Sequence, residues 1–196
     1  ITDADMLEVV TMVYGGLVNK NVVAMLQANG INALGLTGAD MDVIRSHKRP
    51  VKNGLDFGYA GDVDHANGFE LRNIIEQGIT PVMAPLTHDG CGNILNTNAD
   101  TIAAETAKAL ARFYEVTLIY CFEKKGVLRN PDDDDSVIPV ITRDDFNKYV
   151  ADGTIAGGMI PKLHNALAAV DEGVKQVIIT LSNAIDGKHG TIIKQC

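Results

Sequence analysis

Two amides and a carboxylate stand close together in the stretch Asn93-Ile94-Leu95-Asn96-Thr97-Asn98-Ala99-Asp100. Asn96 and Asn98 are two residues apart, so an extended backbone points both side chains to the same side. Asp100 takes the expected N-cap position, ahead of the apolar positions Ile102, Ala103, Thr106, Ala109 and Leu110. A strand-to-helix turn of this kind sets polar groups near the positive end of a helix dipole, where an anion or polar ligand can be held. The same residues also suit an ordinary capped turn, so the motif gains weight only from its company.

A second stretch, Asp152-Gly153-Thr154-Ile155-Ala156-Gly157-Gly158-Met159-Ile160-Pro161-Lys162, puts glycines before a proline in the first turn of a helix. Backbone N–H groups and one ammonium therefore converge at a helix start, which suits a phosphate. A lysine near a helix start is by default only a surface residue. Other charged runs read as bland. His47-Lys48-Arg49 is expected on a solvated edge strand. The four acids Asp132-Asp133-Asp134-Asp135 are expected at a solvated hairpin tip, since they lack a calcium-loop pattern. The five histidines form no zinc-type cluster, and no metal site is expected among side chains.

Acidic residues outnumber basic ones by 25 to 17, which argues against a general nucleic-acid partner. Hydrophobic residues make up 46% of the 196, and no run is expected to span a bilayer. Cys91, Cys121 and Cys196 have no CxxC spacing and read as reduced thiols of a cytoplasmic protein.

The elements that must position these residues alternate between strand and helix. A helix is expected from Thr2 or Asp3 to about Asn29, where Gly15-Gly16 permits a kink or a close approach. A strand at 33–37, an antiparallel ribbon across 44–67, a helix at 69–77 and a strand at 80–86 follow, with a turn at 87–92. Next come a helix at 101–112, a strand at 116–122, a helix from 143 to about 150 capped by Thr142 with Asp145, a helix at 161–170 and a strand at 175–181. Residues 183–196 have turn and strand character. The pattern predicts an α/β fold, a three-layer αβα sandwich with a mainly parallel central sheet. Two lobes are expected, 1–112 and 113–196, and ligands of such sheets sit at the carboxyl ends of strands, where both flagged stretches lie.

Taken together, Asn96-Thr97-Asn98-Ala99-Asp100 and Gly157-Gly158-Met159-Ile160-Pro161-Lys162 resemble the signature of the amino acid kinase family, whose fold is carbamate kinase-like. Leu34-Gly35-Leu36-Thr37-Gly38, Gly58-Tyr59-Ala60-Gly61-Asp62-Val63 and the opening Thr2-Asp3-Ala4-Asp5-Met6 fit its branch that acts on acylated glutamate. The resemblance implies phosphorylation of the γ-carboxylate of an N-acyl-L-glutamate by ATP, with Mg²⁺ carried by the nucleotide. It implies that Lys162 stabilises charge on the transferring phosphoryl group and that Asp100 organises the active-site lysines. Asn96 is implied to bind the acylglutamate, with Asn98 close behind, in the first lobe. The nucleotide is implied to lie in the second, against Glu123, Lys124, Lys125, Gly126, Val127 and Leu128 and against Thr154, Ile155 and Ala156. Phe122-Glu123-Lys124-Lys125-Gly126 stands where the usual run is closer to Thr-Asp-Val-Pro-Gly. The family begins with a strand and glycine-rich loop carrying a further catalytic lysine, upstream of Ile1; a chain complete as given is expected to be inactive or severely impaired. Another acceptor (carbamate, aspartate or glutamate) and a non-catalytic nucleotide-binding subunit are the competing readings. The long apolar first helix and the resemblance together imply a homodimer, with no membrane partner.

Overall fold

The computed structural model describes residues 1–187 and 189–195; the reading of Cys196 as a reduced thiol lies outside the described residues. The chain divides into two compact units, Ile1–Leu110 and Ala111–Cys196.

In the first unit Asp3, not Thr2, caps α1 (Ala4–Val10), its carboxylate accepting from the Met6 N–H at 2.8 Å. The helix runs on through a π-helical stretch, Thr11–Val18, into α2 (Asn19–Ala28). Gly15 and Gly16 sit in the wide turns, and a Cβ on Gly15 would meet Leu86 Cδ1 at 3.0 Å. Close approach, one of the two roles expected for this pair, is therefore the one Gly15 plays. Ala4–Ala28 is 25 residues long and apolar enough to cross a membrane by length and composition, which corrects the expectation that no run could. Here, however, it packs on a sheet. Buried Asn19 donates its Nδ2 to the Val82 carbonyl at 2.8 Å, and Lys20 Nζ donates to the Gly35 carbonyl at 3.2 Å. A Cβ on Gly35 would fall 1.8 Å from Asn19 Oδ1, so glycine is required there. Met12 and Leu17, away from that contact, are 57% and 63% exposed and leave an apolar face open.

Parallel strands β1 (Ala33–Leu36) and β4 (Thr80–Met83) form the sheet under that helix. Strands β2 (Ile44–Lys48), β3 (Ala60–Ala66), β5 (Leu86–His88) and β6 (Ile94–Thr97) close a small barrel in the order β2-β3-β6-β5. The expected ribbon is the antiparallel β2–β3 pair. Strand β2 is not an edge, because Arg45 also pairs with His88 of β5. Its basic run is solvated but paired with acids: His47 with Asp64 at 2.6 Å, Lys48 with Asp56 at 3.5 Å and Arg49 with Asp62 at 2.7 Å. The strand expected over 80–86 is two short ones broken at Ala84-Pro85, and Thr87-His88, expected in a turn, belong to β5. Val43, Ile44, Leu71 and Ile102 form the core, bringing together α3 (Gly68–Glu76) and α4 (Ala99–Ala111).

In the second unit β7 (Thr117–Phe122) and β9 (Gln176–Leu181) pair in parallel. Strand β10 (Thr191–Ile193) runs antiparallel to β9 and parallel to β8 (Val140–Ile141). The Thr142–Asp145 capping box forms as expected at α5 (Arg143–Ala151). Helix α6 (Met159–Asp171) lays Leu163, Ala166 and Leu167, all buried, toward β9 and β10. Strands alternate with helices and parallel pairs predominate, so the architecture is α/β.

Candidate active site

In the first unit, Asn96 lies in β6 between Leu86 of β5 and Ala60 of β3. Its Nδ2 donates to Thr2 Oγ1 at 3.0 Å. Thr2 is itself fixed: its N–H donates to the Phe57 carbonyl at 3.1 Å and its carbonyl accepts from the Tyr59 N–H at 2.7 Å. Gly58 makes that pairing possible, with φ of 68° and a would-be Cβ only 2.0 Å from the Thr2 carbonyl oxygen. The amide is therefore held rigidly at the end of a strand.

The cap of α4 is Asn98, not Asp100. Asn98 Oδ1 accepts from the Thr101 N–H at 3.0 Å, and its carbonyl accepts from the Ile102 N–H at 3.0 Å. Asp100 is the second residue of the helix, half-buried in its first turn. The carboxylate thus keeps its place by the positive helix end, while Asn98 Oδ1 is committed to the backbone.

The second unit contains a cavity of about 880 Å³. The segments flagged in the sequence meet there: Glu123, Lys124, Gly126, Val127 and Leu128 from the β7 end, Thr154, Ile155 and Ala156 from the loop before α6, and Lys162 from its first turn. Lys125 does not reach it. Its ammonium pairs with Asp135 at 2.6 Å, as Lys124 pairs with Asp134 at 2.7 Å. Those hydrogen bonds, followed by the attraction of the same carboxylates, raise both lysine pKa values. The acidic tip thus neutralises the two lysines.

Backbone ties hold the wall in shape. The Val127 N–H donates to Thr191 Oγ1 at 2.8 Å, and that hydroxyl donates to the Ile138 carbonyl at 2.7 Å, both buried. A Cβ on Gly126 would meet Thr191 Oγ1 at 2.8 Å and Val137 at 3.0 Å, so the glycine serves packing. Across the cavity the Ile155 N–H donates to the Tyr149 carbonyl at 2.9 Å, and the Thr154 N–H donates to Asp152 at 2.9 Å. Gly157 has φ of 56°, and Gly158 begins α6 without any side-chain cap. The N–H groups of Met159 and Ile160 make long bonds, 3.3 Å each, to the carbonyls of Ala156 and Gly157. Lys162 Nζ lies 3.8 Å from the centroid of the Phe122 ring, which lines the same cavity.

Beyond the stretches expected to bind the nucleotide, the wall also includes Phe122, Arg129 and Pro131. Arg129 donates to the Tyr149 hydroxyl at 3.2 Å and lies over that ring at 5.3 Å. Its only sequence signal is a cation just past Gly126-Val127-Leu128, which no motif singles out. Among the described residues, no group of three or more His, Cys, Asp or Glu side chains stands ready to hold a metal ion. Chemically, the cavity offers an apolar slot with cations at its wall, suited to a polyanionic ligand with a flat apolar part.

The amino acid kinase family model matches residues 1–181. Acetylglutamate kinase of Phocaeicola vulgatus is 67% identical over 195 residues, covering 100% of this chain and 76% of its own length. Acetylglutamate kinase of Methanopyrus kandleri is 39% identical, covering 99% of this chain and 79% of its own. Among solved structures, a Streptococcus mutans protein superposes with a TM-score of 0.81 at 31% identity, over 99% of this chain and 74% of that one. Carbamate kinase from Giardia lamblia bound to AMP-PNP gives a TM-score of 0.64 at 17% identity, over 93% of this chain and 69% of that one, which bears on the fold alone. The fold is thus the carbamate kinase-like one expected from the motifs, and the chain belongs to the amino acid kinase family.

Proposed function

We propose that this chain carries out the ATP-dependent phosphorylation of the γ-carboxylate of an N-acyl-L-glutamate, the acyl group being acetyl by its similarity to the acetylglutamate kinases. The observation that carries the reading is the 880 Å³ cavity, which two sequence segments predicted to bind a nucleotide line together with Lys162. Phosphoryl transfer asks a protein for position and positive charge, not for a covalent group.

In this reading the second unit takes ATP. The backbone of Gly126–Leu128 and Thr154–Ala156 borders the nucleotide, and Arg129 supplies peripheral positive charge. Lys162 presents its ammonium to the transferring phosphoryl group. The loosely bonded N–H groups of Met159 and Ile160 are donors that a phosphate oxygen can recruit. Mg²⁺ arrives with the nucleotide and neutralises phosphate charge. In the first unit Asn96 binds the acylglutamate, fixed in place by Thr2, and Asp100 takes the charge-organising role. We assign Asn98 to holding α4 so that Asn96 and Asp100 keep their places.

The reading places the protein in the cytoplasm, in arginine biosynthesis, as a homodimer that binds neither nucleic acid nor membrane. The open apolar face of the first helix, Met12 and Leu17 included, supports the dimer; sedimentation of a Leu17→Asp variant as a monomer would test it. The test of the activity is ADP release with ATP and Mg²⁺ across a panel of acceptors: N-acetyl-L-glutamate, N-succinyl-L-glutamate, carbamate, aspartate and glutamate. Turnover with N-acetyl-L-glutamate above the others supports the reading. Preference for a free amino acid or carbamate removes it, and preference for the succinyl compound corrects the acyl group.

A further inference from the structure

Within the nucleotide cavity, the Lys162 ammonium lies 3.8 Å from the centroid of the Phe122 ring, at the carboxyl end of β7. That is well inside the range of a cation–π contact, roughly 6 Å. Phe122 is in turn stacked with Tyr120 two residues earlier, centroids 6.1 Å apart and planes 21° apart. Tyr120 is 8% exposed and pairs with Ile179 in the middle of the β7–β9 ladder. A chain of contacts therefore runs from the sheet core, through two rings, to the one lysine that α6 contributes to the cavity wall. Lysine has four rotatable bonds, and its ammonium is easily lost to bulk water. A ring face at this place restricts where the ammonium can go.

We propose that Phe122 is a positioning residue for Lys162: the ring holds the ammonium inside the cavity, where it can meet a phosphoryl group. The inference rests on the kinase reading for its catalytic consequence but not for its geometry. An aliphatic side chain of similar size keeps the packing and removes the ring quadrupole, so Phe122→Leu separates the two. The expected result is a fall in kcat of between about twofold and about thirtyfold, with the KM for ATP changed less than kcat. Phe122→Tyr, which keeps the ring, is expected to restore most of the rate.

The second readout needs no turnover. Lysine side chains labelled with ¹³C report ring-current shifts, and Lys162→Arg identifies the Lys162 signal. In the wild type that signal is expected upfield of the other lysines, moving to their position in Phe122→Leu and staying upfield in Phe122→Tyr. A Lys162 signal without an upfield shift overturns the proposal, as does a kcat in Phe122→Leu that is unchanged or raised. Equal losses in the leucine and tyrosine variants also overturn it. If the wild type in its natural full-length form turns over no acceptor at all, the kinase reading fails, and the ring-current arm still decides whether Phe122 holds Lys162.

Discussion

Thr191 joins the cavity wall to the sheet, and replacing it with valine isolates one hydroxyl. Its Oγ1 accepts from the Val127 N–H at 2.8 Å and donates to the Ile138 carbonyl at 2.7 Å, with Thr191 fully buried. Thr191→Val keeps the shape and leaves a buried N–H and a buried carbonyl without that partner. Each orphaned group costs about 1–3 kcal/mol, and partial relaxation of the loop brings the expected total to about 2–4 kcal/mol. For a chain of this size that lowers Tm by roughly 4–16 °C. Thr191→Ser is the control: it keeps both hydrogen bonds and loses one methyl group, costing about 1 kcal/mol. Thermal unfolding followed by circular dichroism gives the ranking, and amide exchange at Val127 localises it. Valine should destabilise more than serine and lose protection at Val127, with weaker ATP binding because Gly126–Leu128 border the cavity. The reasoning is refuted if valine is no worse than serine and the Val127 amide is equally protected in both.

The cap of α4 supplies a second prediction. Asn98→Ala should cost about 1 kcal/mol in a melt, whereas Asp100→Asn should melt like the wild type yet lose turnover by orders of magnitude. The reverse pattern would restore Asp100 as the cap. Gly58→Ala should destabilise by at least about 1–2 kcal/mol from its left-handed backbone alone, before the collision with the Thr2 carbonyl is counted; a melt within error of wild type contradicts this. The Asp145 carboxyl is held below the usual range, first by the Thr142 hydroxyl and then by the Thr142 N–H. A depressed value stabilises the fold fully above the unfolded pKa of about 3.9, and the contribution disappears as pH falls through the lower folded value. Urea titrations from neutral to acid pH should therefore show a shallower acid loss in Asp145→Asn than in the wild type; identical profiles would exclude this contribution.

Local chemistry was the legible part of the sequence. Thr142 and Asp145 announce their capping box by spacing alone, and the alternation around 44–67 announces the β2–β3 pair. Asn98 and Asp100 show where local rules stop, because both residue types cap helices and only the backbone path decides between them. The closed barrel depends on pairings far apart in sequence, Ala60 with Asn96 and Arg45 with His88, which no local pattern encodes. Strand β5 was hidden by its polar Thr87-His88 and by Pro85 before it. Within the site, sequence placed the loops but not the directions of their side chains. Lys125 turns out to Asp135, while Arg129, unmarked by any motif, turns in.

The measurement that tests the central claim most directly is ADP release by the protein in its natural full-length form, with and without N-acetyl-L-glutamate, for the wild type and Lys162→Ala. The account predicts acceptor-dependent ADP from the wild type and a loss of orders of magnitude in Lys162→Ala, with ATP still bound and the melt unchanged. Acceptor-independent ADP, or near-normal turnover without the Lys162 ammonium, would contradict it.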